Sequence, residues 1–220
     1  MILLSFKRYA VTLLVLFSGL SQATGLQEAQ ENPNLQAILA VNSQAPMSTL
    51  NTAASQLQAL YQQHPDRRIA KMFYGYAQLF MATDFLAKKN YMRAAETSKL
   101  GFFYIDEAAE SEESDWQMRF LRVRMDAFVP ATHGRCVVAL KDLDYLQQTP
   151  AVPADLQPMI TLMSAHALAS CQRVADAKAA WAALAQQGAE GKRLSEHSTA
   201  PEWTPAELNT IIQPLTEVPL

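Results

Sequence analysis

Glycine is scarce in this sequence, and no stretch of it alternates apolar and polar residues between hairpin turns. Only 7 of the 220 residues are glycine. Alanine, leucine, glutamine and methionine, which lose little side-chain freedom in a helix, are abundant. The 11 prolines fall mostly between helical patterns. These features exclude a β-rich fold and predict an all-α protein with short connections between antiparallel helices.

Clusters of basic residues are also missing. Lys7 and Arg8 lie in a segment that we expect to be removed. Without them, 16 of the 18 basic residues remain against 21 acidic ones, a net charge of about −5. Nucleic acids and anionic membrane surfaces are bound chiefly through clustered positive charge, so this balance makes both poor partners.

Long apolar runs are limited to one, near the N-terminus. Residues 9–20 (YAVTLLVLFSGL) are uncharged, and Ser21 and Ala23 place small side chains at the two positions that a signal peptidase reads. This pattern predicts a signal peptide over residues 1–23. A retained anchor is the alternative, because the run is only slightly short of a membrane span. We expect a periplasmic or secreted protein with no stable membrane span after cleavage and a flexible mature N-terminus over residues 24–33.

Sequence motifs for catalysis and for binding metals or phosphate are absent. The four histidines are scattered, and none has a second histidine or a carboxylate at the spacing of a metal site. The sequence contains no HExxH, CxxC or glycine-rich phosphate loop. The acidic residues between 107 and 115 lack the alternating ligands and the glycine of a calcium loop. We therefore expect a protein that is not an enzyme and that binds no metal or cofactor.

A small residue recurs near the start of every second helical pattern. These residues are Ala53, Ala94, Ala139 and Ala177. Three positions before each of them stands an aromatic or apolar residue, namely Leu50, Tyr91, Cys136 and Val174. The alanines are 41, 45 and 38 residues apart, which predicts an irregular repeat of helix pairs.

This pattern resembles the tetratricopeptide repeat family, in which two antiparallel helices meet at small residues and the second helix begins with Tyr-x-x-Ala. Residues 82–101 (ATDFLAKKNYMRAAETSKLG) match best. Residues 50–65 match the second half of the unit, including its closing proline. The aromatic residue usual early in the first helix is replaced by Gln78, and the spacing exceeds the family's repeat of about 34 residues.

The resemblance implies a right-handed stack of antiparallel helix pairs, with about eight or nine helices in all. The repeat domain is expected over residues 34–190, followed by a tail over residues 191–220 with a short capping helix. A generic stack of helical hairpins is the alternative.

In this family the first helix of each pair lines a concave groove in which ligands are usually bound. Transferring those positions by their offsets selects a largely apolar, aromatic-edged surface with one arginine and one histidine. Its candidate residues are Tyr76, Thr83, Arg124, Phe128 and His166. Ordinary core packing is the alternative for the aliphatic residues selected with them.

Ala94, Ser98 and Gly101 leave one stripe of their helix without large side chains. Ridge-into-groove packing at a short interaxial distance leaves no room for leucine on such a stripe. The stripe therefore predicts that the backbone of a neighbouring helix passes close by.

The two cysteines, Cys136 and Cys171, open one helix and close the next. Each lies 13 residues from the connection between these helices, at Thr149 and Pro158 respectively. An antiparallel hairpin then places both sulfurs at the same height. Since export exposes cysteines to an oxidising compartment, we expect a disulfide. Two buried free thiols are the alternative.

Export and a repeat groove together indicate a binding function. We expect a non-enzymatic adaptor that binds a protein or peptide partner in the cell envelope, because concave helical-repeat surfaces suit a peptide or a helix. The alternative is an accessory component of a transporter or secretion system that binds a small ligand between its repeats, by analogy with the fold.

Overall fold

The computed structural model describes residues 32–217, of which the residues from Asn34 onward belong to one compact unit. The predicted signal peptide over 1–23 and nearly all of the predicted flexible segment over 24–33 lie outside the described residues. Within residues 32–217 all regular structure is helical, so the predicted all-α class is confirmed.

The described residues form ten helical segments, close to the number expected. They are α1 (Pro33–Leu39), α2 (Met47–Gln63), α3 (Arg68–Ala87), α4 (Tyr91–Glu110), α5 (Trp116–Asp126), α6 (Cys136–Gln148), α7 (Gln157–Ser170), α8 (Val174–Leu184), α9 (Gly188–Leu194) and α10 (205–217). Helix α10 begins with Pro205–Glu207, widens into the π-turn Leu208–Ile212 and ends with Gln213–Glu217. Short 3-10 turns, Ala131–His133 and Ala154–Leu156, precede α6 and α7.

Two tight turns reverse the chain between long helices. Lys89 (φ 58°) lies between α3 and α4, and Gln172 (φ 63°) lies between α7 and α8. Each is a left-handed residue two positions before the second helix begins. The Asn90 side chain then accepts a hydrogen bond from the backbone N–H of Arg93 at 3.3 Å, which caps the start of α4. Both turns therefore make antiparallel hairpins with very short connections.

Helices that follow one another in the chain pack together from α2 to α8, most extensively α3 with α4 and α7 with α8. The four recurring small residues are all buried within this packing: Ala53, Ala94, Ala139 and Ala177. Small residues thus lie in the interior of the helix packing at all four positions. The handedness of the stack and the repeat family stay predictions.

The backbones of α3 and α4 approach each other where Gly75 faces Gly101. A Cβ atom on Gly101 would lie 2.7 Å from the Leu79 side chain and 2.9 Å from the Gly75 carbonyl oxygen. A Cβ atom on Gly75 would lie 2.7 Å from the Gly101 carbonyl oxygen. The close approach expected at Gly101 is confirmed, and only glycine fits without a shift of backbone atoms.

The predicted disulfide is present between Cys136, at the start of α6, and Cys171, just after α7. The two Cα atoms are 5.5 Å apart and the bond spans 35 residues. A disulfide of this kind is typical of proteins that fold outside the reducing cytoplasm. None of the described helices combines the length and the apolar composition needed to span a bilayer.

Buried ion pairs join α5 to the helices on either side. Asp142 of α6 is completely buried and accepts hydrogen bonds from Arg119 and Arg122 of α5, each at 2.7 Å. Arg135 contacts Asp106 of α4 at 2.6 Å and Asp126 of α5 at 2.8 Å. These charges fix α4, α5 and α6 relative to one another and so fix the surface that α5 presents on its other side.

Candidate functional site

Four of the five predicted groove residues lie along one continuous line across α3, α5 and α7. The Tyr76 hydroxyl on α3 donates a hydrogen bond to the backbone carbonyl of Leu121 on α5. The Arg124 guanidinium, one turn further along α5, lies 5.6 Å from the centre of the Phe128 ring. The Phe128 ring centre is 4.6 Å from that of His166 on α7. Four of the residues selected by the repeat offsets therefore lie close to one another in the structure.

Thr83, the fifth predicted residue, lies apart from this line. Its side chain is exposed near the end of α3, and its hydroxyl donates to the Leu79 carbonyl of the same helix at 3.2 Å. Among the described residues, no hydrogen bond or ring contact joins Thr83 to the other four.

Residues 201–217, here called the C-terminal segment, cover this line at Arg124. Arg124 donates from Nε to the Glu207 carboxylate at 2.7 Å and from Nη2 to the Pro201 carbonyl at 2.7 Å. Its guanidinium lies 4.9 Å from the centre of the Trp203 ring. The Arg124 side chain is only 5% exposed and that of Glu207 is 0% exposed. At Arg124 the expected groove is therefore occupied by the protein's own chain.

Aromatic and backbone contacts extend this occupied surface along α3 and α5. The Trp203 ring centre lies 5.8 Å from that of Phe73, which lies 4.9 Å from that of Tyr76. Further along α5, the Gln117 side-chain amide donates to the Thr210 carbonyl at 2.9 Å. The C-terminal segment is thus bound at both ends, through side chains and through its own backbone carbonyls.

The conformation of the C-terminal segment is set by a capping box at the start of α10. The Glu207 N–H donates to the Thr204 hydroxyl at 3.2 Å, and the Thr204 N–H donates to the Glu207 carboxylate at 2.8 Å. Pro205 occupies the first helical position, where a backbone N–H would have no hydrogen-bond partner within the helix, so the N–H that proline lacks is not needed. One oxygen of Glu207 therefore caps the helix while the other pairs with Arg124.

Sequence reasoning did not assign Pro201, Trp203 or Glu207 to the groove. The pattern Thr-Pro-Ala-Glu over residues 204–207 signals a helix start. A local pattern of this kind gives no information about the distant helices on which the new helix packs.

Burial sets the protonation of the two titratable rings on this line. Desolvation raises the pKa of Tyr76 well above its usual value, although neighbouring Arg124 acts in the opposite direction. Burial lowers the pKa of His166, whose ring lies 5.2 Å from that of Trp181, and its hydrogen bond with the backbone of His197 opposes the shift. At neutral pH Tyr76 is therefore a hydrogen-bond donor and His166 is uncharged.

A cleft of about 380 Å³ lies beside the C-terminal segment, between it and the helices α7 and α9. Its lining includes Asp155, Met159, Glu190, Leu194 and Thr204. Within residues 32–217, no group of three or more histidine, cysteine, aspartate or glutamate residues is arranged to hold a metal ion. The arrangement holds the C-terminal segment through a buried ion pair, aromatic rings and backbone carbonyls.

Comparison of the chain with protein-family models, with curated proteins and with solved structures finds no match to any of them.

Proposed function

We propose that the protein is an exported, non-enzymatic adaptor, periplasmic or secreted, whose groove binds a protein or peptide partner in the cell envelope. The observation that supports this proposal is that the predicted groove residue Arg124 already holds a chain segment, residues 201–217, through Pro201, Trp203 and Glu207. That segment is held by a helix start, a stacked aromatic ring and a buried carboxylate, which are general means of peptide recognition.

The contacts of the C-terminal segment define what a partner has to supply in its place. Displacing Glu207 without replacement would leave the Arg124 charge buried and unpaired, which costs about 3–5 kcal/mol. A partner segment must therefore carry a carboxylate at the position of Glu207. An aromatic residue four positions earlier would replace Trp203 between Phe73 and Arg124. The preferred partner is thus a segment with an aromatic residue ahead of an acidic residue at the start of a helix.

The second candidate function is that of an accessory component of a transporter or secretion system that binds a small ligand. The cleft of about 380 Å³ beside the C-terminal segment supports it, because this volume falls within the usual range for ligand sites. Native mass spectrometry distinguishes the two functions. A small molecule that copurifies in stoichiometric amount supports the ligand-binding protein, and a copurifying polypeptide supports the adaptor.

The adaptor proposal is tested with a labelled synthetic peptide of residues 199–217 added to the full chain. Trp203→Ala loosens the internal segment, so the peptide should bind this variant at least about tenfold more tightly than the wild type. The same peptide with Glu207→Ala should bind neither protein. Val174→Ala, at an exposed position on α8, is the control and should behave as the wild type. Equal affinities of the peptide for the wild type and for Trp203→Ala would contradict the proposal. Equal binding of the peptides with and without Glu207→Ala would contradict it as well.

A further inference from the structure

The turn between α3 and α4 forms a protruding tip, here defined as residues 86–93. All eight of these residues are exposed. Helix α4 contacts the connection between α5 and α6 at Phe102, whose ring centre lies 5.3 Å from that of His133. Phe102 is 11 residues after Tyr91, a distance of about 16 Å along the helix axis. The tip therefore extends well beyond this contact.

Large apolar side chains are exposed at this tip. Leu86 is 55% exposed, Tyr91 is 64% exposed and Met92 is 83% exposed. Tyr91 occupies the position that the repeat pattern assigned to the start of a second helix, yet most of its side chain is exposed to solvent. Single exposed apolar residues are common and need no explanation. Three of them within one short turn form an exposed apolar patch.

Basic residues surround these apolar side chains. Lys88 pairs with Asp84 at 2.8 Å, whereas Lys89 and Arg93 form no ion pair with any described residue. Lys99 follows on α4, and the acidic residue between them is Glu96. The neighbouring stretch over residues 33–63, which includes α1 and α2, carries no aspartate, glutamate, lysine, arginine or histidine.

The opposite end of the same hairpin is rich in acidic residues, and Arg68 and Lys71 at the start of α3 pair with three of them. Six acidic residues and no basic residue lie between positions 106 and 115, namely Asp106, Glu107, Glu110, Glu112, Glu113 and Asp115. Helices of 20 residues separate the two ends by about 30 Å. Residues 86–93 carry three basic residues and no acidic one, so the tip is locally positive although the chain as a whole is negative.

From this charge complementarity we infer that the tip binds the surface of an anionic lipid bilayer. Lys89 and Arg93 contact the lipid phosphates, while Tyr91 and Met92 enter the boundary between headgroups and acyl chains. A protein interface usually needs 20–30 residues on each side, far more than an eight-residue protrusion offers. A bilayer accepts a small convex tip. The expectation from net charge that anionic membranes are poor partners would then fail locally, because the charge is unevenly distributed.

Vesicle co-sedimentation of the exported full-length chain tests this inference. The protein should sediment with vesicles of phosphatidylcholine and phosphatidylglycerol but not with vesicles of phosphatidylcholine alone. Binding should be lost in 1 M salt, where the Debye length is about 3 Å. Lys89→Gln together with Arg93→Gln, and separately Met92→Ser, should each lower the partition coefficient by about tenfold. Because all three side chains are exposed, the variants should melt at the wild-type temperature.

The matched controls are Lys178→Gln and Val174→Ser on α8, where both side chains are exposed but lie on another hairpin. These controls should sediment as the wild type does. That result would show that binding depends on the tip, and not on the net charge of the protein or on its N-terminal residues. Absence of sedimentation with anionic vesicles, or equal sedimentation of tip variants and controls, overturns the inference. Retention on polyglutamate without binding to vesicles also overturns it, in favour of an acidic protein partner.

Discussion

Replacing Glu207 by glutamine should destabilise the protein strongly although it changes only one atom of the side chain. The Glu207 carboxylate lies 2.7 Å from Nε of Arg124, and their side chains are 0% and 5% exposed. Removing one partner of a buried ion pair leaves the other charge buried and costs about 3–5 kcal/mol. Glutamine keeps an oxygen that accepts one hydrogen bond, so we expect a loss near the lower end, about 3 kcal/mol.

Glu190→Gln provides a matched control within the same chain. Glu190 and Arg193 also form an ion pair of 2.7 Å, but their side chains are 42% and 48% exposed. Solvent screens this pair and hydrates the remaining charge, so the same substitution should cost less than about 1 kcal/mol. The two variants therefore differ in burial and share both chemistry and distance.

Urea unfolding followed by circular dichroism gives the free energies of unfolding, and tryptophan fluorescence reports on Trp203 together with Trp116 and Trp181. A double-mutant cycle with Arg124→Met completes the test, because removing both charges should cost less than the sum of the single changes. Similar losses for Glu207→Gln and Glu190→Gln would refute the reasoning, and so would a strictly additive cycle. Either result would mean that water reaches Arg124 and that the C-terminal segment is not firmly bound.

Three further predictions concern other parts of the fold. Gly101→Leu should lower the free energy of unfolding by about 1–3 kcal/mol, because the new side chain would overlap α3. The control Ala95→Leu, on the exposed face of α4, should change it by less than about 0.5 kcal/mol. Urea denaturation measures both values. Reducing the disulfide between Cys136 and Cys171 should destabilise the protein by about 3–4 kcal/mol, with reduction verified by alkylation and mass measurement. Because burial lowers the pKa of His166, the unfolded chain takes up a proton more readily than the folded one, so stability should be lost as pH falls below about 6.5. The decrease in melting temperature between pH 7.5 and pH 5 should then be smaller in His166→Gln, and an equal decrease would contradict this.

The features that could be predicted from sequence are those that depend on helix geometry within a hairpin. Cys136 and Cys171 lie at equal distances from one connection, and antiparallel helices convert that equality into proximity. Gly101 predicted a close backbone because a residue without a side chain on a helical stripe leaves room for another helix. In both cases the contacting residue lies in the next or the preceding helix, and a short connection allows few other arrangements of two adjacent helices.

The occupied groove could not be predicted, because its decisive contacts join residues far apart in the chain. Arg124 and Glu207 are separated by 83 positions. The pattern around Thr204 predicts a helix start but gives no information about its docking site. Repeat offsets selected Tyr76, Arg124, Phe128 and His166, which lie near one another in the structure, because offsets report which face of a helix a residue occupies. They carry no information about what covers that face.

The uncharged stretch over residues 33–63 has a consequence for measurement. With no aspartate, glutamate, lysine, arginine or histidine in α1 and α2, these two helices contribute no such group of their own when they open. Acid or salt titrations of stability therefore report on α1 and α2 only through charged groups of the helices that they cover, such as Lys71 beside Tyr61. Amide hydrogen exchange follows backbone opening directly and would detect the separation of α1 and α2 from the remaining helices.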